Sequence, residues 1–173
     1  MQRGSATASS NSFRRSLGPD GMERLRGLLG GDGEPAEPRV GVFVDGPNVL
    51  RNEFDVDLDD VRAEADKWGR LAITRLYLDE HATPGLIQAA EARGFEVVIT
   101  SGDVDVKLGV DATAAAADDA IDLLAIVSRD TDFKPVLESA GERGVETLAI
   151  APGAHGRSDA LRNAAQNATT LEE

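Results

Sequence analysis

The fold is decided first by the segment Val40-Gly41-Val42-Phe43-Val44-Asp45-Gly46-Pro47-Asn48. A short run of β-branched and aromatic residues of this kind is typical of a buried strand. Gly46 then permits a tight turn. The segment therefore predicts a first strand over Val40–Asp45 that carries an aspartate to its carboxyl end, with Asn48 beside it.

From residue 39 onward, similar short runs alternate with amphipathic helical stretches, which indicates βαβ units and a parallel sheet. Four further strands are predicted over Leu71–Leu78, Phe95–Thr100, Leu123–Ser128 and Val145–Ile150. Predicted helices run from Asp57 to Trp68, from Thr83 to Gly94, from near Val110, from about Thr131 to Arg143 and from Ser158 to Ala165. We expect a single doubly wound α/β domain with helices on both faces of a mainly parallel five-stranded sheet. If its strand order is 3-2-1-4-5, strands one and four are neighbours.

The first part of the chain has a different composition. Residues 1–38 are rich in Ser, Gly, Pro and Asn, which predicts a disordered tail ahead of a domain over 39–173. The weakly amphipathic patch Met22–Leu29 is either unstructured or a short docking helix, because helices of this length are marginal alone.

Composition narrows the chemistry of any metal site. The 173 residues include no cysteine and only two histidines, His81 and His155. Disulfides, thiolate zinc sites and cysteine nucleophiles are therefore excluded. Any metal must be bound by carboxylates, and hard oxygen ligands favour Mg²⁺ or Mn²⁺.

The formal net charge of -13 argues against a broad basic surface for nucleic acid, because phosphate binding depends on Lys and Arg. Any RNA contact must be local, and the acidic surface is typical of a high-salt proteome. No apolar run reaches the roughly 20 residues of a membrane span, and the first residues lack a signal peptide. We therefore expect a cytoplasmic protein.

Aspartates follow the predicted strands at the edge where α/β sheets bind ligands. Asp45 follows the first strand, Asp130 and Asp132 follow the fourth, and Asp111 lies near the start of the third helix. Each of these alone could be a turn or capping residue. If strands one and four are neighbours, however, Asp45 and Asp130 lie close together. Packed carboxylates are tolerated only with a positive partner or with raised pKa values, and a divalent metal would satisfy this.

Three segments resemble the motifs of NYN domains in the PIN-like nuclease superfamily: Phe43-Val44-Asp45-Gly46-Pro47-Asn48, Lys107…Val110-Asp111 and Ser128-Arg129-Asp130-Thr131-Asp132-Phe133. The resemblance covers roughly residues 39 to 171. It implies that Asp45, Asp111 and Asp130 are metal-binding catalytic acids. It also implies that Asn48 orients Asp45 or a metal-bound water, and that Asp132 supports the metal site.

The chain departs from this family pattern in two places. Arg129 stands where the family commonly has Gly. The acid after the Lys-Val-Asp motif usually follows about six residues later, whereas Asp118 follows Asp111 by seven, so the role of Asp118 is open. The cations expected nearest the site, and thus the candidates for binding RNA phosphate, are Lys107, Arg129 and Lys134.

The leading hypothesis is a hydrolase, a Mg²⁺- or Mn²⁺-dependent endoribonuclease acting on single-stranded RNA. The alternative is a catalytically weak RNA-associated or regulatory module that keeps the acidic residues. An aspartate-dependent phosphatase is disfavoured because its nucleophilic pair would follow the first strand. A dinucleotide-binding oxidoreductase is disfavoured because no G-x-G-x-x-G follows that strand. A homodimer is left open.

Overall fold

The computed structural model describes residues 35–50, 56–156 and 158–171. The chain divides into two compact units, Met1–Glu37 and Pro38–Glu173. The predicted tail, apart from residues 35–38, and the patch Met22–Leu29 lie outside the described residues. None of the helices in the described part has the length and apolarity that crossing a membrane requires.

The second unit alternates strands and helices. In chain order its elements are β1 (Arg39–Asp45), α1 (Gly46–Val49), α2 (Leu58–Asp66), β2 (Arg70–Asp79), α3 (Pro84–Ala92), β3 (Glu96–Thr100), α4 (Val104–Ala117), β4 (Leu123–Val127), a 3-10 turn (Thr131–Phe133), α5 (Lys134–Glu142), β5 (Glu146–Ala151), a second 3-10 turn (Ala154–Gly156), α6 (Asp159–Ala164) and β6 (Asn167–Thr170).

The strands form one parallel sheet in the order β3-β2-β1-β4-β5-β6. The predicted α/β class is confirmed, and the first five strands have the order 3-2-1-4-5 that makes strands one and four neighbours. The prediction of five strands was one short, because β6 pairs with β5 from Leu148 opposite Asn167 to Ala151 opposite Thr170. This edge strand has no fully buried residue, so it lacks the apolar run by which the other strands were recognised.

Alternating side chains of the sheet support a core on each face. Val40, Val42 and Val44 of β1 belong to the core that packs under α2 and α3. Phe43 belongs to the opposite core, which includes the buried residues of α4, α5 and α6. The helices therefore cover both faces, as expected for a doubly wound sheet. The chain leaves β1 toward one side of the sheet and β4 toward the other, so the switch point lies between these two central strands.

Several helix ends follow their predicted signals. The side chains of Asp57 and Thr83 accept hydrogen bonds from backbone amides in the first turns of α2 and α3. Gly144 follows α5 with a φ of 83°, in the left-handed region that favours glycine.

Helix α4 differs from its prediction, since it begins at Val104 rather than near Val110. Its buried residues recur at intervals of three or four and form the face that packs on the sheet: Val104, Leu108, Ala112, Ala115 and Ala116. The earlier start changes which aspartate lies in the first turn. That position is occupied by Asp105, while Asp111 lies further along the helix.

Candidate metal centre

The carboxyl ends of the two central strands lie side by side. Val44 of β1 is paired with Val127 of β4, so that Asp45 and Ser128 follow at neighbouring positions. Both are buried, with relative exposures of 4% and 2%. Glycine is required directly after Asp45, because a Cβ at Gly46 would overlap the backbone carbonyl oxygen of Tyr77. The chain then forms the one-turn helix α1, where a simple tight turn was predicted.

The Ser128 hydroxyl links the two strand ends. It donates a hydrogen bond to Asp45 Oδ2 at 3.0 Å and accepts one from the backbone N–H of Asp130 at 3.0 Å. The carboxylate of Asp130 in turn accepts a hydrogen bond from the backbone N–H of Asp132 at 2.9 Å. These bonds fix the orientations of Asp45 and Asp130 relative to each other.

Asp105, Asp130 and Asp132, here called the acidic group, bring three carboxylates together. Each offers one oxygen atom, and these atoms all lie within 4.8 Å of one another. Among the described residues, none of the lysines and arginines forms a salt bridge with a member of the acidic group. The mutual repulsion of these carboxylates is therefore not offset by a salt bridge within the described part of the chain.

The negative charge of these carboxylates also affects the ionisation of Asp45. Its pKa is raised, chiefly because burial disfavours the ionised form, and Asp130 and Asp105 add to the rise through electrostatic repulsion. The Ser128 hydroxyl and the backbone amide of Asn48 act in the opposite direction. A cation placed among these carboxylates would favour the ionised form of all of them.

Asp111 lies in a different environment, here called the Asp111 network. Its Oδ2 atom accepts a hydrogen bond from the hydroxyl of buried Tyr77 at 2.9 Å, and its Oδ1 atom accepts one from Lys107 Nζ at 2.8 Å. Arg75 Nη1 lies 3.9 Å from Asp111 Oδ2. Burial and the neighbouring Asp111 carboxylate raise the pKa of Tyr77, so the hydroxyl stays protonated and keeps donating to Asp111.

The remaining predicted site residues are placed as follows. Arg129 Nε donates a hydrogen bond to Asn48 Oδ1 at 2.8 Å, which joins the loop after β4 to α1. Lys134 lies 3.6 Å from Glu138, one turn further along α5. Asp118 is exposed at the C-terminal end of α4, the end opposite to Asp105.

The structure thus brings Asp130 and Asp132 together with Asp45 close by, and it joins to them Asp105, which the sequence prediction missed. The spacing between the aspartates of this segment could have identified Asp105. The family pattern has a second acid about six residues after the first, and Asp105 and Asp111 meet it, whereas Asp111 and Asp118 do not. Placing the start of α4 too late had given Asp111 the position in the first turn that Asp105 holds.

The donors of the acidic group suit a small divalent cation. All three are carboxylate oxygens, the hard ligands that Mg²⁺ and Mn²⁺ prefer. Oxygens on opposite sides of a Mg²⁺ ion lie about 4.2 Å apart. Small rotations of side chains that now lie within 4.8 Å of one another would reach that distance.

Comparison with known proteins gives a consistent picture. The family model described as "NYN domain" matches residues 39–172. An uncharacterized protein of Methanocaldococcus jannaschii is 43% identical over 138 residues, which are 79% of this chain and 57% of that protein. The chain therefore matches little more than half the length of this curated relative. A crystal structure of a protein of unknown function from Vibrio parahaemolyticus has a TM-score of 0.69 at 21% identity and covers 84% of this chain and 98% of that one, a likeness of fold.

Proposed function

Because the chain belongs to the NYN domain family, we propose that it is a divalent-metal-dependent ribonuclease that hydrolyses phosphodiester bonds of single-stranded RNA. The family is PIN-like and generally nuclease-like. The observation that supports the proposal best is the acidic group, three carboxylates converging at the carboxyl ends of the sheet without a salt bridge among the described residues. This is the edge at which open α/β sheets bind ligands.

In this proposal Asp105, Asp130 and Asp132 would hold Mg²⁺ or Mn²⁺, with Asp45 next to them. When bound, such an ion lowers the pKa of a water molecule and stabilises negative charge on a phosphodiester. The Ser128 hydroxyl keeps the Asp45 carboxylate turned toward Asp130. The backbone amide of Asp132 fixes one oxygen of Asp130. Hydrogen bonds thus orient two of these carboxylates, Asp45 and Asp130, before an ion binds.

The RNA backbone would meet few cations in a chain of net charge -13. Arg129 directly precedes Asp130, and its bond to Asn48 holds it between the loop after β4 and α1. We propose that Arg129 contacts a phosphate, with Lys107 and Lys134 as further candidates. Such contacts would be few and local, and the salt dependence of RNA binding would be correspondingly shallow.

A second function is favoured by one observation. The hydrogen bond from Arg129 to Asn48 places a long cation beside the acidic group, where the family commonly has glycine. If that side chain obstructs the phosphate, the protein would be an RNA-associated or regulatory module with little turnover. Removal of the side chain in Arg129→Ala would then speed cleavage, whereas a phosphate-binding role predicts weaker RNA binding and slower cleavage.

Cleavage of labelled single-stranded RNA with Mn²⁺, compared with the same reaction in EDTA, tests the proposal. We expect metal-dependent cleavage that falls by at least about a hundredfold in Asp130→Asn, since removing even a neighbour of a metal ligand costs about tenfold to a hundredfold. The matched control is Asp118→Asn, an exposed acid at the far end of α4. RNA that is bound but uncut at all Mn²⁺ concentrations would support the module.

A further inference from the structure

A groove of about 650 Å³ runs along helix α4 beside the acidic group. One side is formed by Val106, Val110 and Thr113 of α4, and the other by Val136 of α5. Gly109 lies between them, where a Cβ atom would come within 3.4 Å of a Val136 methyl group. The two helices therefore approach closely at this point, and the groove is a shaped feature of their packing.

The groove is continuous with the acidic group. Asp105 and Asp132 line it, so one end of the groove opens on the proposed metal site. A ligand whose charged part lies at the metal would therefore place its next chemical group in the groove.

The side chains along the groove are unusual for the surface of this protein. Val106 and Val110 are 60% and 61% exposed, and with Ile99 they are the large hydrophobic residues most exposed in the described part of the chain. On a chain of net charge -13, these two exposed valines, one helical turn apart, give the groove an apolar wall beside the acidic group.

We propose that this groove receives one unpaired nucleobase of the RNA strand whose phosphate lies at the acidic group. The inference rests on the proposed function and names a subsite for that substrate. A phosphate does not suit the groove, because among the described residues the charged side chains that line it are Asp105 and Asp132, which repel it. A base is flat and uncharged, and its faces are stabilised by contact with the valines.

The side chains of the groove also indicate how strictly it would select a base. In the described part of its lining, Thr113 is the one uncharged polar side chain, whereas reading a base by its edges requires several directed hydrogen bonds. The subsite is therefore tolerant of base identity. It demands an unpaired base, because in a duplex the faces are covered by stacking and the edges by pairing.

The test uses a fluorescent oligouridine in which a single abasic residue is moved along the strand. In wild-type protein we expect the abasic residue at one position next to the cut to raise KM and the Kd by about tenfold, on the order expected when a few tens of Å² of apolar contact are lost. Kd is measured with Ca²⁺ in place of Mn²⁺ to slow cleavage. Replacing uracil by other bases at the same position should change either value less than threefold, on the order of the small preferences seen without edge readout.

The variant that connects this penalty to the groove is Val106→Asn with Val110→Asn. Asparagine adds no charge and has a helix propensity similar to that of valine. We expect the intact oligonucleotide to bind this variant as weakly as the abasic one binds wild type, with no further loss on base removal. Ile99→Asn is the matched control on β3, outside the groove, and should keep the full abasic penalty.

The outcomes separate the inference from the proposed function. If wild type cleaves RNA but the abasic penalty is absent or persists in the double variant, the groove inference fails and the nuclease stands. If wild type binds with the penalty and does not cleave, the nuclease fails and the groove stands as an RNA-binding subsite. A wild-type dimer that the double variant turns into a monomer would assign the groove to a second copy of the chain and overturn the inference.

Discussion

Two aspartates on helix α4, six residues apart, have opposite surroundings. Asp111 is contacted by a tyrosine hydroxyl, a lysine and an arginine, so its charge is compensated within the protein. Asp105 lies with two further carboxylates, and no salt bridge reaches it from the described residues. A compensated buried acid is explained by the fold, because its partners stabilise its charge. An acid that lies among other acids, without a salt bridge to the described residues, is instead a candidate for binding a cation.

This difference indicates separate roles for the first turn of α4 and for its middle. The Asp111 network joins the middle of α4 to β2 through Tyr77, whose ring also stacks on Phe43 with centroids 6.3 Å apart. The first turn of α4 then presents Asp105 toward the loop after β4. The network is the rigid support, and the acidic group is the part in which we place the chemistry.

The largest expected effect separates these two aspartates by cleavage rate. Asp105→Asn should lower kcat by at least about a hundredfold, because it removes a proposed metal ligand. Asp111→Asn should change kcat by less than about tenfold, since its amide can still accept the hydrogen bond from Tyr77. Single-turnover cleavage with saturating Mn²⁺ measures both. An equal loss of kcat in the two variants, or a larger loss in Asp111→Asn, would indicate that Asp111 is a metal ligand, as predicted from the sequence.

A smaller effect concerns the stability of the Asp111 network. Tyr77→Phe should lower the free energy of unfolding by about 1–2 kcal/mol, because it removes a buried hydrogen bond to a charged group. Lys107→Met should cost less, about 0.5 kcal/mol, since the Lys107 side chain is 46% exposed and pairs with Asp111 across one helical turn. Urea unfolding in EDTA measures both. A Tyr77→Phe protein as stable as wild type would show that the Asp111 network does not stabilise the position of α4.

The smallest effect is a gain of stability in Asp45→Asn without metal. The pKa of Asp45 is raised on folding, so at low pH the folded state binds a proton more readily than the unfolded state does. Stability therefore falls as pH rises from the unfolded value, about 3.9, through the folded pKa. The Asn variant does not carry this buried charge, so it should be more stable than wild type at neutral pH.

This gain should shrink toward zero as the pH is lowered below about 4, where Asp45 is protonated in both states. Thermal unfolding in EDTA across pH, with Asp118→Asn as the control for net charge, measures it. A gain that is equally large at low and neutral pH would show that the buried charge of Asp45 is not its origin.

The sheet was predictable because its central strands are continuous apolar runs that end in turn residues. The first strand and its aspartate, the neighbouring positions of strands one and four, and the glycine-ended helices all follow from such local signals. Strand β6 was missed, since Asn167–Thr170 is a short edge strand without a buried side chain and depends on pairing with β5.

The start of α4 was predicted wrongly for a related reason. The alternation Asp103-Val104-Asp105-Val106 has the period of a strand, and Gly109 weakens a helical reading. Packing of Val104 and Leu108 on the sheet nevertheless extends α4 back through this segment. A prediction based on local propensity therefore started the helix too late and took Asp111, rather than Asp105, as the acid in its first turn. The partners of Asp111 come from β2, and a local reading of α4 gives no indication of them.

The central claim is that a divalent cation binds to the acidic group and that Asp111 is a structural residue. Anomalous diffraction from crystals soaked in Mn²⁺ tests it most directly. The account predicts an anomalous peak among the carboxylates of Asp105, Asp130 and Asp132, with Lys107 and Tyr77 still bonded to Asp111. An anomalous peak from a Mn²⁺ ion bound by Asp111, or no anomalous peak near the acidic group at millimolar Mn²⁺, would contradict it.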